Sequence, residues 1–417
     1  MIQTDTPHFS HIAQRAPLAM LWAFLEVACI DLAQSLDRNG KEKALRSGLK
    51  KAAHALPDDV RRRLDQTCER IDRMTDEAGA EAIRYIRDEI INLEAFEQQA
   101  DQYARSLWLY LNERENFQRA EDARYADEYR GSIRLYGAYR GPAEVDIAMT
   151  EERRDALLTS LAELFHTPFP VLFDHFVRPR HDIEKGEDIE LHQFSIHHND
   201  EQQSVPTIAE DGDLALIYFC PLNSIKITYE PLNGVVEVYC RNRSLHDEIF
   251  QRFARHILNR EMSPERLPKR CYDISTLARE RHFPIVDAEI ASVRVLQLRI
   301  KVGSRRSSLI LKLGAAEART IWQLAEDLWG SGNPLNQAHQ IDQANLVIQF
   351  HKRRHQRRPK SLTIVISLPN GCNIKSHCDK DRQLADKYLR LWNLIQSEES
   401  PTDDAESTSD QEPSAAL

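Results

Sequence analysis

Residues 344–368 decide the fold of this chain, because they hold two alternating runs, Ala344-Asn345-Leu346-Val347-Ile348-Gln349-Phe350 and Ser361-Leu362-Thr363-Ile364-Val365-Ile366-Ser367-Leu368. Every second residue in each run is apolar. This period of two predicts two strands, each with one buried face. Their spacing predicts an antiparallel hairpin, which is followed by an amphipathic run that reaches Leu394.

The ten residues between the two runs are strongly basic. They read His351-Lys352-Arg353-Arg354-His355-Gln356-Arg357-Arg358-Pro359-Lys360, so six of the ten carry a permanent positive charge and none is acidic. Such a loop cannot be buried without partners. We expect it to contact the phosphate backbone of a nucleic acid, and the candidate binding residues are Lys352, Arg353, Arg354, Arg357, Arg358, Lys360, Lys375, Arg305 and Arg306.

A solvated surface is the alternative interpretation of this loop. Charged residues at a hairpin keep a sheet soluble, and lysine-rich edges discourage pairing between sheets. Four of the six cations are arginines, however, and arginine binds phosphate through two parallel hydrogen bonds. Both interpretations stay open at the level of the sequence.

The charge of the chain is divided along its length. Residues 1–250 hold 29 Lys and Arg against 45 Asp and Glu, residues 251–396 hold 26 against 13, and residues 397–417 hold none against 7. The formal net charge of -10 therefore conceals a basic segment between two acidic ones. A basic region of this kind favours a polyanionic partner.

The hydrophobic pattern predicts an α+β protein with several parts. Residues 1–131 read as an all-helical domain, with a long final helix from Asp76 to about Tyr129, and residues 132–185 as a linker with a short helix. Residues 186–396 read as an antiparallel sheet domain. Residues 397–417 are acidic and lack aromatic residues, which predicts a disordered tail.

The sheet domain shows a hairpin followed by a helix three times, which predicts ββα units. The hairpins fall at residues 225–240, 293–313 and 346–368, and each precedes an amphipathic run. In the second hairpin the alternation slips between Val295 and Leu296, as a β-bulge would produce. The three copies share a pattern and not a sequence, so a true repeat is an open hypothesis.

One motif near the C-terminus carries a resemblance to other proteins. The run Leu368-Pro369-Asn370-Gly371-Cys372-Asn373, followed by Lys387-Tyr388-Leu389 and Trp392, resembles a set of uncharacterised bacterial proteins. These pair a helical N-terminal half with an alternating C-terminal half. The resemblance implies a bacterial source and the same overall organisation, and it brings no activity, cofactor or catalytic residue.

Catalytic and metal-binding patterns are weak in this sequence. His351, His355, Cys372, His377 and Cys378 are ligand types for zinc, but they lack the spacing of a structural zinc site. A metal-dependent nuclease would need converging carboxylates, for which Asp213 and Glu237 are the candidates. Neither a phosphate-binding loop nor a Rossmann motif is present. We therefore expect no cofactor, no metal and no catalytic residue.

These observations favour a non-catalytic nucleic-acid-binding or regulatory protein in the cytoplasm. Seven scattered cysteines indicate a reducing compartment, and no apolar run is long enough to cross a membrane. The alternative is a protein-interaction adaptor in which the acidic helical domain docks a partner. A metal-dependent nuclease with an unrecognised site is the lesser alternative.

Overall fold

The computed structural model describes residues 6–30, 32, 40–129, 135–166, 171–182, 187–208, 212–267, 270–301, 307–314, 317–336, 340–352 and 359–395. Within these ranges there are twelve α-helices and twelve strands. Most of the helices come first and antiparallel sheets follow, so the chain has the predicted α+β class.

The N-terminal region contains eight of the described helices: α1 (Pro7–Arg15), α2 (Leu18–Val27), α3 (Glu42–His54), α4 (Asp58–Arg73), α5 (Glu77–Tyr85), α6 (Leu93–Glu97), α7 (Gln102–Asn112) and α8 (Arg114–Tyr129). The long helix expected from Asp76 onwards is therefore wrong. The Asp76, Asn92 and Asp101 side chains each accept a hydrogen bond from a backbone N–H three residues on, and each caps a new helix.

The remaining elements alternate between strands and helices. The strands are β1 (Tyr136–Arg140), β2 (Val171–Asp182), β3 (Glu187–Asn199), β4 (Gln203–Ile208), β5 (Leu214–Phe219), β6 (Leu222–Glu230), β7 (Val235–Tyr239), β8 (Ile290–Lys301), β9 (Ser308–Lys312), β10 (Gln340–Phe350), β11 (Ser361–Ser367) and β12 (Gly371–Cys372). The helices are α9 (Glu151–Phe165), α10 (His246–His256), α11 (Ile321–Trp329) and α12 (Asp379–Leu391).

The chain divides into two compact units. The first contains residues 1–137, 141–264 and 375–383, and the second contains residues 138–140, 265–374 and 384–417. The domain bounds that the sequence suggested stay a prediction.

A five-stranded sheet has the order β1-β7-β6-β3-β2, and its strands β7, β6, β3 and β2 lie in the first unit. In that unit helices pack on both faces of the sheet. One face is apolar and packs against α10, where the rings of Phe194 and Phe253 meet edge to face at 5.0 Å. The other face lies under α8 and is mostly polar. The helices also form an apolar core of their own, to which β2 contributes Phe176.

The second unit contains a sheet of order β12-β11-β10-β8-β9. The predicted hairpin is confirmed: Leu346 pairs with Ile364 and Ile348 with Leu362, and all four side chains are buried. The predicted bulge is confirmed as well, because Asn345 pairs with Gln297 while its neighbour Leu346 pairs with Val295.

The predicted ββα units are not confirmed as a repeat. The first hairpin, β6–β7, belongs to the sheet of the first unit, whereas β8–β9 and β10–β11 share the sheet of the second. The expected linker at 132–185 also contains β1 and β2. The hydrophobic pattern did not predict these strands, because both of their faces mix polar and apolar residues. An example is the run Val171-Leu172-Phe173-Asp174-His175-Phe176.

Candidate functional site

The basic loop connects β10 to β11 in the sheet of the second unit. β10 is hydrogen-bonded to β11 on one side and to β8 on the other. Beyond the last strand pair, the Phe350 N–H donates to the Lys360 carbonyl at 3.0 Å and the His351 N–H donates to the Glu289 carbonyl at 2.8 Å. The base of the loop is therefore closed by backbone hydrogen bonds on two strands.

The structure describes part of the predicted binding set. Lys352 is exposed, and the Lys360 Nζ lies 5.6 Å from the centre of the Phe350 ring. Lys375 lies in a 3-10 helix, Asn373–Ser376, and its side chain is outside the described residues. Arg353, Arg354, Arg357, Arg358, Arg305 and Arg306 also lie outside them.

The described residues next to the loop arginines (353–358) and those next to Arg305 and Arg306 lie at opposite ends of the sheet. Phe350, at the loop, pairs with Ile290, whereas Gln340 pairs with Lys301, which precedes Arg305 and Arg306. Ten residues of an extended strand separate these ends by roughly 30 Å. A single phosphate-binding patch at the loop therefore depends on Lys352 to Lys360.

Several other cations of the basic segment are already paired. Lys387 Nζ donates to Asp287 at 2.9 Å, Arg299 Nε to Asp342 at 2.7 Å, and Arg390 Nε to Asp386 at 3.2 Å. These ion pairs neutralise part of the positive charge that the sequence places after residue 250. The loop differs from these pairs, because none of its own ten residues is acidic and none can neutralise its positive charge.

A buried polar network in the first unit is the feature that the sequence did not predict. Lys226 on β6 is 4% exposed, and its Nζ lies 2.5 Å from Asp122 Oδ1 on α8. His197 on β3 joins the pair, because its Nε2 lies 3.2 Å from both Lys226 Nζ and Asp122 Oδ2. Its Nδ1 lies 2.8 Å from Ser224 Oγ. The network joins a helix to two strands.

The electrostatics of this network favour an ion pair. Burial opposes the charge of Asp122, but the hydrogen bond from His197 and the charge of Lys226 outweigh it and lower the pKa of Asp122 to about 2. Burial lowers the pKa of Lys226, and the attraction of Asp122 counteracts this. We take both groups as ionised at neutral pH, because each is the nearest opposite charge to the other.

The network serves to hold α8 against the sheet. Asp122 on α8 contacts Lys226 on β6 and His197 on β3, and His197 in turn contacts Ser224 on β6.

Further buried polar groups line the same face of the sheet. Arg178 on β2 donates to both carboxylate oxygens of Asp127, at 2.8 and 3.0 Å, and Arg119 on α8 does the same with Asp174 at 2.9 Å. Between these pairs, both amide atoms of Gln193 and the hydroxyl of Ser195 are buried without a hydrogen-bond partner among the described residues.

The opposite face of the sheet holds two histidines in contact. The His175 and His192 rings are stacked, with Nε2 of the first 3.1 Å from Nδ1 of the second. Burial lowers the pKa of His175 to about 4, and the charge of His192 contributes. Burial also lowers the pKa of His192. Both rings are therefore neutral at physiological pH.

The residues considered for metal chemistry do not form a site in the described structure. Within those ranges no group of three or more His, Cys, Asp and Glu side chains is placed to hold a metal ion. Glu237 accepts hydrogen bonds from Thr228 at 2.7 Å and from Tyr136 at 2.5 Å. Asp213 is exposed and precedes β5, which belongs to a separate two-stranded sheet. The nuclease alternative gains no support here.

Comparison with known proteins does not assign the chain to a family. No family model matches it, and no curated protein matches it. Among the helices that the structure describes, none is long and apolar enough to cross a membrane.

Proposed function

We propose that this protein binds nucleic acid without catalysis, by presenting Lys352 to Lys360 to a phosphate backbone. The observation that supports it is the closed base of the hairpin at Phe350 and Lys360, which brings together the two ends of a run with six cations and no acid. A loop anchored on a rigid pair of strands loses less conformational entropy on binding. Because backbone phosphates carry no sequence information, the contact has little sequence specificity.

We place this activity in the cytoplasm. Cys29 and Cys220 are exposed thiols. Exposed thiols are compatible with a reducing compartment.

The test is binding of a labelled, mixed-sequence duplex, DNA or RNA, measured by fluorescence anisotropy across a salt series. If about four cations neutralise phosphates, log K falls against log salt with a slope of roughly -3 to -4. A purified protein that carries nucleic acid, seen as a raised ratio of absorbance at 260 nm to that at 280 nm, is the corresponding first observation.

The decisive variant replaces Arg353, Arg354, Arg357 and Arg358 with alanine. Its matched control removes the same charge from exposed positions in the N-terminal region: Lys41, Lys43, Lys51 and Arg62. The loop variant is expected to lose at least about tenfold in affinity and most of the salt slope, while the control keeps both. Equal losses in the two variants would show that only net charge matters. Protein free of nucleic acid that captures a partner regardless of these arginines would favour the adaptor alternative.

A further inference from the structure

Strands β4 and β5 form an arm that extends beyond the sheet of the first unit. β3 and β6 pair as far as Asn199 and Leu222, and the pairing resumes in the arm with Gln203 opposite Phe219. The arm is therefore the outer part of one long hairpin. Six residue pairs give it a length of about 20 Å.

The arm exposes apolar side chains on both of its faces. Leu214, Leu216 and Tyr218 lie on one face and are 85%, 51% and 61% exposed, while Ile217 and Phe219 on the other are 55% and 42% exposed. A two-stranded ribbon has little stability in water unless something covers one of its faces. A contiguous exposed patch of this kind indicates an interaction surface.

The charge around the arm indicates what kind of partner it binds. Residues 199–225 contain five carboxylates and no cation, and three of the carboxylates, Glu210, Asp211 and Asp213, fall between the two strands. Carrying these groups into a bilayer would be costly, so a lipid surface is a poor match. A protein surface with an apolar strip and flanking cations fits better.

A smaller surface of this kind lies at β9. This strand is the edge of the second unit's sheet, and its one exposed apolar side chain, Ile310, is 56% exposed. Lys312 on β9 and Lys301 on the paired β8 are exposed as well. Residues 290–314 contain six cations and no acid, and although Asp342 pairs with one of them, Arg299, the balance of charge is the reverse of that around the arm. Among the described residues β9 pairs on one side only, so its other side offers backbone N–H and C=O groups for pairing.

We propose that the arm of one copy docks along the β9 edge of a second copy, and that the second copy returns the same contact. β5 is the strand that adds to β9, because Pro206 lacks a backbone N–H and makes β4 the poorer edge. A reciprocal exchange about a twofold axis covers two arms and two edges at once and closes the assembly as a dimer.

The oligomeric state of the full chain tests this inference. Size-exclusion chromatography with light scattering at about 100 µM protein, well above the Kd of a specific dimer, should give about 96 kDa, twice the 48.2 kDa of one chain. Replacing Leu214, Leu216 and Tyr218 together with serine should give the monomer mass. These side chains are exposed, so circular dichroism should show an unchanged fold. A wild-type monomer at this concentration overturns the proposal.

Two variants of Ile310 with opposite charges test the part of the contact that β9 contributes. Ile310→Glu sets a carboxylate against the acidic arm and should raise the dimer Kd at least about tenfold, while Ile310→Lys should raise it much less. Mixing the serine variant of the arm with Ile310→Glu should restore association, because one intact arm then meets one intact edge. A dimer that survives Ile310→Glu unchanged, or a mixture that stays monomeric, contradicts docking at β9.

Discussion

Lys226 carries an ammonium group into the interior of the first unit, where Asp122 and His197 contact it. A buried ion pair of this kind contributes little net stability, since desolvation offsets most of the attraction. Removing one partner has a much larger effect, because the other charge stays buried without compensation. The ion pair therefore adds little to the stability of the fold, but replacing only one of its two residues is costly.

Lys226→Met should lower the free energy of unfolding by about 3–5 kcal/mol, since it leaves the Asp122 carboxylate buried and uncompensated. The double variant Lys226→Met/Asp122→Leu should recover most of this loss. Urea denaturation followed by circular dichroism measures both. Lys43→Met is the matched control, because Lys43 is exposed and its replacement should change stability by less than about 0.5 kcal/mol. If the double variant is as unstable as the single one, the uncompensated charge is not the cause.

His175 should make folding stability depend on pH in the mildly acidic range. Its pKa in the folded chain is lowered to about 4 by burial and by His192, and that of an unfolded histidine is about 6.5. Since the unfolded chain takes up the proton first, the contribution to stability is complete above pH 6.5 and is lost as the pH falls towards 4.

Replacement of His175 with phenylalanine should remove this part of the pH dependence. Between pH 7 and 4 the wild-type protein should lose about 1–2 kcal/mol more than the variant, a value reduced from about 1.4 kcal/mol per pKa unit because the ring is partly exposed. Urea titrations at several pH values measure it, and His54→Phe, at an exposed position, is the control. Parallel curves for wild type and His175→Phe would exclude His175 as the source.

At the scale of the elements, alternation predicted the strands β6, β7, β10 and β11, but it did not predict that the polar face of β6 is buried. β10, β11 and the bulge at Leu296 followed from the sequence, because an apolar period of two has one physical interpretation. In β6 the polar residues Lys226, Thr228 and Glu230 alternate with apolar ones, which predicts a solvated face. They are buried instead, because α8 covers that face.

The candidate functional sites could also be predicted from the sequence only in part. The density of cations from Lys352 to Lys360 is visible in the sequence, whereas the pairing of Lys387 with Asp287 across 100 positions is not. The network around Lys226 needed Asp122 from a helix about a hundred residues earlier. A lysine in the middle of an alternating strand was the one local signal of it. Long-range charge pairing is a property of the fold, and no local spacing encodes it.

At the scale of the whole molecule, charge is segregated into an acidic first part, a basic segment and an acidic end. The exposed arm at β4–β5 lies in the acidic part and the β9 edge in the basic one. Residues 397–417 lie outside the described structure, and their seven acids and absence of bases predict that they compete for the cations of residues 351–360. Competition of this kind weakens as salt screens the charges, over a Debye length of about 10 Å at 0.1 M.

Deletion of residues 397–417 should therefore tighten binding to a labelled duplex about two- to fivefold at low salt, and the gain should largely disappear at high salt, where screening removes the competition. A variant that keeps the length of the tail but replaces its seven acids with serine or asparagine is the matched control, because it removes charge without removing chain. Both changes should raise the affinity by a similar factor in anisotropy titrations, since charge is the proposed cause. An affinity that neither change alters at low salt would mean that the tail does not compete with nucleic acid, and that the acidic end of the chain acts on something other than the basic loop.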